Sequence, residues 1–150
     1  MWIRLIIVII FLLSSSCSKK EVLYEPSDKV DPYLIYKEGL EAFEQNDFFY
    51  ADKKFSEAEI NFDKPELAAK AAIMSSFSLY GINFYKEAEE NLLRFLETYP
   101  ADKNIIYAHY LLAIIYFEQI SDEKKDLQPL IKAEKKIKEF LKLYPNTDYA

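Results

Sequence analysis

Cys17 and His109 are the only cysteine and the only histidine in the chain. One cysteine allows neither an intramolecular disulfide nor an all-cysteine metal site. A Cys/His nucleophile would have to join these two residues, and the surroundings of Cys17 assign it a different chemistry. Carboxylates are plentiful, but Glu87, Glu89 and Glu90 follow helical spacing and read as a solvated face rather than as an acid/base pair. There is no Gly-rich phosphate loop, no HExxH and no Ser/His/Asp set. His109 stands in an aromatic-rich run and reads as a half-buried side chain, not a ligand. The expectation is a protein with no catalysis, no metal and no dissociable cofactor.

Cys17 closes a segment that looks like an export signal. Arg4 is followed by an uninterrupted apolar run from Leu5 to Leu13, then by Ser14, Ser15 and Ser16. That run is too short for a bilayer core, which needs about 20 residues. The pattern resembles the lipobox of bacterial lipoproteins, with Ser14 where Leu is usual. The resemblance implies cleavage after residue 16 and a covalent lipid (palmitate among its acyl chains) on Cys17. Several acyl chains on one residue give firm membrane anchoring. Ser18, rather than Asp, after the cysteine implies sorting to the outer membrane, on its periplasmic face. Residues 17–30 contain Pro26 and no sustained period, and read as a lipid-anchored tether.

The rest of the chain must supply whatever the protein binds. The composition is 51% hydrophobic with only 2 Gly and 6 Pro, which suits one helical domain and disfavours a turn-dense β protein. The net charge is −6 with no basic stripe, which disfavours nucleic-acid binding. From Asp31 onward the apolar residues keep helical spacing, and the prolines fall at the edges of the periodic segments. Six helices are predicted: Asp31-Pro32 to about Glu44; about Phe48 onward, with Ala51, Phe55, Ala58 and Ile60; Ala68 to Tyr80, closed by Gly81; the stretch Phe84 to Pro100; Ile105 to Gln119; and Leu130 to Leu143, capped by Asp126. Links this short make neighbours antiparallel.

The helices repeat. Ala51, Phe55 and Ala58 recur 37 positions later as Ala88, Leu92 and Phe95, and again as Ala133, Ile137 and Phe140. Gly39 and Ser76 lie 12 positions before Ala51 and Ala88, and Pro100 and Pro145 lie 12 after Ala88 and Ala133. In the third unit Ala113 and Ala133 are 20 apart, an insertion between its two helices. The pattern resembles the tetratricopeptide repeat (TPR), a helix-turn-helix unit in which small residues let two helices approach and a larger one fills the gap to the next pair. The expected fold is all-α: a TPR-like right-handed solenoid of three antiparallel helical hairpins, with repeats at about 31–62, 65–100 and 102–145 within a 31–150 domain.

The order of features is similar to one family, the BamD lipoproteins of outer-membrane β-barrel assembly in Gram-negative bacteria. The residues that carry the likeness are the lipobox cysteine, ETYPADKNIIYAHYLLAIIYF, the long third loop ending in Lys125-Asp126, and KAEKKIKEFLKLYPNTDYA. The resemblance implies a lipid-anchored adaptor that binds BamA and other machinery subunits. It also implies binding of the C-terminal targeting segments of unfolded outer-membrane proteins for folding and insertion. Members of that family carry about five repeats, so more repeats are expected beyond Ala150, with much of the BamA contact on them.

The first helix of each hairpin would line the concave face. Counting from Gly39, Ser76 and Ala113, the groove-facing candidates are Tyr33, Tyr36, Leu40 and Phe43; Ile73, Phe77 and Tyr80; and Tyr107, Tyr110, Ile114 and Phe117. Tyrosines present an apolar body with a polar tip, which suits a wet peptide-binding surface, although inter-repeat core would use the same rings. Two other classes compete: a periplasmic TPR adaptor of the cell-division coordinator type, and a lipoprotein enzyme with its catalytic domain outside these residues. Cys17 and the third-repeat insertion count against the coordinator type, which normally has no lipobox and evenly spaced repeats.

Overall fold

The computed structural model describes residues 31–120 and 127–150. The export signal, Cys17, the tether, and the charged 121–126 connection with its expected Asp126 cap lie outside the described residues. Among the described residues the chain forms six helices and no strand: α1 (Pro32–Glu44), α2 (Phe48–Asn61), α3 (Pro65–Gly81), α4 (Tyr85–Thr98), α5 (Ile105–Glu118) and α6 (Gln128–Leu143).

The helix starts are local chemistry. The Asp31 carboxylate accepts the Tyr33 N–H at 2.9 Å with Pro32 in the first turn, and Asp47 accepts the Tyr50 N–H at 3.1 Å. α1 ends at Glu44 as expected, whereas the cap of α3 differs from expectation. Gly81 is simply the last residue of α3, and the left-handed positions are Asn46 and Asn83, at φ 62° and 61°. After each, the next N–H reaches back five residues, from Asp47 to the Ala42 carbonyl and from Phe84 to the Leu79 carbonyl, both at 2.9 Å. This closes the helix and immediately starts the next one. Gly81 is small for another reason, since a Cβ there would stand 3.2 Å from the Phe48 ring.

Within hairpin 1 the ring contacts Tyr33–Phe62, Tyr36–Phe55 and Phe43–Phe48 run in opposite sequence directions, as antiparallel helices require. Each helix packs on its neighbours in the chain, and α3 also touches α5. The result is a TPR-like stack of three hairpins. The first helices α1, α3 and α5 lie along one side.

The repeat positions behave as their residue types demand. Ala51 and Ala88 have no exposed surface, and Ser76, Ala113 and Ala133 are buried. At Gly39 an added Cβ would come within 2.8 Å of the Phe55 ring. Phe55, Leu92 and Phe95 are fully buried, and each stabilises the fold by about 1.5–3 kcal/mol relative to exposure. The central helix α3 is covered nearly all round and is built from small residues for that reason. Its buried hydroxyls are all satisfied. Ser76 donates to the Ala72 carbonyl at 3.0 Å and Ser78 to the Met74 carbonyl at 2.8 Å. Ser75 donates to Asp52 at 2.6 Å and accepts from Asn91 at 3.0 Å, tying α2, α3 and α4 together.

Two apolar residues of the periodic helices are exposed. Ile60 is 82% exposed, because each helical residue turns by about 100° and a position two beyond buried Ala58 points away from the core. The intervening Glu59 turns toward α4 instead. Its carboxylate accepts two bonds from the Arg94 guanidinium, at 2.5 and 2.8 Å, and one from the Tyr99 hydroxyl at 3.0 Å. Burial and the Glu59 contact push the Tyr99 hydroxyl up to about 12. Ile137 is the second exception, 37% exposed where Phe55 and Leu92 are sealed.

Candidate functional site

The face formed by α1, α3 and α5 carries a continuous line of rings. Phe43 packs on Phe77 at 5.7 Å, Phe77 on Tyr107 at 6.4 Å, and Tyr107 on Tyr110 at 6.3 Å between centroids. A branch runs from Phe77 to Tyr80 at 6.0 Å and on to Tyr85 at 6.1 Å. The line crosses all three hairpins, and its members are half-buried rather than sealed. Edge and face exposure of this kind leaves ring surface for a second molecule.

The remaining groove candidates divide. Ile73 is buried but forms part of the wall of a cavity of about 400 Å³, with Phe43, Met74, Phe77 and Tyr107; Lys70, Lys103 and Asn104 complete the lining. Tyr36 is mostly core. Its ring packs against Phe55 and Phe62, its hydroxyl is buried without a partner among the described residues, and the Lys70 ammonium stands 5.2 Å from the ring centre. Tyr33 is more than half exposed and caps Phe62 edge-on at 5.2 Å, at the margin of hairpin 1. Leu40 packs half-buried against the Ala42–Ala51–Phe55 cluster, Ile114 is half-buried, and Phe117 is exposed near the end of α5. Four of the eleven, Phe43, Phe77, Tyr107 and Tyr110, are brought into one line, with Ile73 beneath it and Tyr80 beside it.

Tyr149 belongs to this face and was not among the candidates. Its ring lies 4.8 Å from Tyr110 and 5.9 Å from Tyr107. The signal was present in Tyr149-Ala150, which repeats the Tyr107-Ala108 pair after a Tyr-Pro stop.

The hydroxyls of Tyr80, Tyr107 and Tyr110 form no hydrogen bond within the described residues. Burial, followed by the neighbouring tyrosines, pushes Tyr107 up to about 12, and burial also raises Tyr80. Both stay protonated near neutral pH, each a donor and acceptor for a peptide backbone. His109 lies off this face, half-buried with its ring 5.6 Å from Tyr144. Burial, and then the Lys136 charge, lower its pKa.

Among the described residues there is no cluster of three or more His, Cys, Asp or Glu able to hold a metal, and no helix long and apolar enough to cross a membrane. The arrangement suits recognition of an extended, aromatic-bearing segment.

Residues 28–150 match the family YfiO, described as an outer membrane lipoprotein. The chain is 32% identical over 117 residues to the outer membrane protein assembly factor BamD of Caulobacter vibrioides, an alignment covering 78% of this chain and 38% of that protein. It is 28% identical over 145 residues to the assembly factor BamD of Rickettsia prowazekii, covering 96% of this chain and 57% of that protein. The chain thus spans between roughly a third and three fifths of the length of these relatives.

Proposed function

The chain belongs to the YfiO (BamD) family of outer-membrane lipoproteins, and from that premise we propose that it is a non-catalytic subunit of outer-membrane protein assembly whose α1–α3–α5 face holds unfolded clients. The client segment is extended and aromatic-bearing, of the kind found at the C-terminus of β-barrel proteins. The observation that carries the reading is the unbroken line Phe43–Phe77–Tyr107–Tyr110, which crosses all three hairpins with its rings half-buried. An extended peptide laid along it meets apolar ring surface at successive steps, and the free tyrosine hydroxyls meet its backbone. Tyr107, pushed up to about 12, and Tyr80, raised by burial, both stay protonated near neutral pH, so these two hydroxyls give binding no pH dependence between about pH 6 and 8.

Cys17, in the lipobox pattern, carries the covalent lipid that anchors the chain to the periplasmic face of the outer membrane, with residues 17–30 as the tether. BamA and the other machinery subunits are its partners. Pull-down of BamA with the full-length protein tests that contact, and absence of lipid incorporation at Cys17 would remove the anchor.

Site-specific photocrosslinking tests the groove. A crosslinker at Tyr80 and Tyr110 should capture a β-barrel C-terminal peptide, whereas one at Tyr36, whose ring is turned into the core, should capture little. Crosslinks confined to Lys53 of α2 and Leu93 of α4 would overturn the assignment.

A further inference from the structure

The three hairpins meet at two seams that are built differently. At the first, between hairpins 1 and 2, polar groups from both sides are tied together. The Glu59 carboxylate of α2 receives the Arg94 guanidinium and the Tyr99 hydroxyl from hairpin 2. The Ser75 hydroxyl joins Asp52 of α2 to Asn91 of α4. Three residues, 62–64, connect α2 to α3. At the second seam, between hairpins 2 and 3, the repeat positions equivalent to Glu59 and Arg94 lie 37 and 45 residues further on, as Leu96 and Glu139. These two cannot pair. Leu96 packs half-buried on the apolar cluster, and Glu139 is held by Lys136 of its own helix at 2.9 Å. Contact across this seam is carried by the apolar cluster that holds Leu92, Phe95, Leu112 and Ile115, with a hydrogen bond from the Tyr116 hydroxyl to Glu89 at 2.7 Å. The connection from α4 to α5 is six residues long, 99–104. Two hollows, of about 400 and 620 Å³, are lined by α3 together with residues of this connection.

We propose that the second seam is a hinge: hairpins 1 and 2 move as one body, and hairpin 3 tilts against it about residues 99–104. Hydrogen bonds and ion pairs are directional and fix the angle between the elements they join. Apolar contact is non-directional, and packed helices slide on it by small amounts. Opening the first seam would leave the buried Glu59 carboxylate without its cation, a strongly unfavourable state. Tilting at the second seam strands no buried charge. Close packing resists such motion where it is complete, and the two hollows remove that resistance beside α3. The device acts on one step of the ring line. Phe43 and Phe77, 5.7 Å apart, face each other across the first seam and keep their spacing. Phe77 and Tyr107, 6.4 Å apart, face each other across the second, so tilting of hairpin 3 opens or closes that step alone. The hinge holds whatever the face binds.

Pulsed-EPR distance measurement on the full chain, with no peptide present, tests the hinge. Spin labels go in pairs on cysteines replacing exposed residues, in a Cys17→Ser background. Lys53 with Glu90 spans the first seam, Glu90 with Lys135 spans the second, and Glu118 with Lys135 lies within hairpin 3. The distance distribution across the second seam should be about twice as wide as that across the first. The pair within hairpin 3 should be as narrow as the first. The double variant E59L/R94M removes the ion pair and leaves no unpaired charge, and apolar replacement of a buried pair keeps a fold intact. It should widen the first seam toward the width of the second. Equal widths at the two seams in the parent chain would overturn the hinge. A wide distribution within hairpin 3 would also overturn it, by placing the motion inside that hairpin. A double variant whose first seam stays narrow would overturn the assignment of its rigidity to Glu59 and Arg94.

Discussion

Hairpins 1 and 3 carry the same repeat step, sealed at Phe55 in the first and open at Ile137 in the third. Between α1 and α2 an ion-pair cluster lies beside exposed apolar residues such as Leu34, Phe49 and Ile60. Lys54 reaches Glu38 at 2.8 Å and Glu57 at 3.4 Å, and its ammonium lies 5.5 Å from the Tyr50 ring centre. Along α6, Leu130, Ile137 and Leu141 stand 39%, 37% and 44% exposed. Yet the repeat signature is the same in both hairpins. Phe55 and Leu92 are sealed because the first helix of the following hairpin lies over them, with Met74 of α3 against the Phe55 cluster and Leu112 and Ile115 of α5 in the Leu92 cluster. Ile137 occupies the same step with no described helix over it. Burial at this position is thus a property of the neighbouring repeat, not of the hairpin that carries the residue.

The largest expected effect breaks that comparison directly. Leu92→Ala should cost about 2–5 kcal/mol, as for a sealed core leucine, whereas Ile137→Ala should cost under about 1 kcal/mol. Urea denaturation of the two variants checks this, and equal losses would show that Ile137 is covered in solution. A smaller effect sharpens the contrast at the small-residue step. Gly39→Ala puts a methyl 2.8 Å from the Phe55 ring and 3.3 Å from Lys54 Cβ. The expected loss is about 1–2 kcal/mol, after the helix preference of Ala offsets part of the overpacking. In hairpin 3 the same step already carries the methyl of Ala113, and Ala113→Gly should lose only the helix preference and the buried methyl.

The smallest effect is a pH dependence confined to hairpin 3. His109 faces Tyr144, Lys136 and Glu139, and burial followed by the Lys136 charge lowers its pKa below 6.5. The unfolded chain therefore binds a proton there first. Stability from this residue is fully present above about pH 6.5, falls as pH drops below that value, and levels off below the folded pKa. His109→Gln should flatten that portion of a melting-temperature profile. A variant that retains the full slope would assign it to carboxylates elsewhere.

Most helix boundaries were legible because Pro32, Pro65 and Pro129 mark first turns and apolar residues repeat at helical spacing. The repeat positions were legible for the same reason, since close helix approach admits only small side chains. What escaped depends on partners distant in sequence. Asn46 and Asn83, not Gly81, take the left-handed caps, because Gly81 answers to Phe48 across the hairpin boundary. Glu59 reads as a surface acid until Arg94, 35 residues on, is placed beside it. In the site, spacing located Phe77, Tyr107 and Tyr110 on one face. It did not separate Tyr36, which the core absorbs, or reveal that Lys70 and Lys103 flank one cavity. Periodicity reports which face a residue occupies, and the depth of that face depends on the next hairpin.

Hydrogen exchange of the chain with and without a β-barrel C-terminal peptide tests the central claim most directly. The groove reading predicts slowed exchange in α3 and α5, centred on residues 73–80 and 105–114, with α4 unchanged. Slowing confined to α2 and α4, with α3 and α5 unaffected, would contradict it.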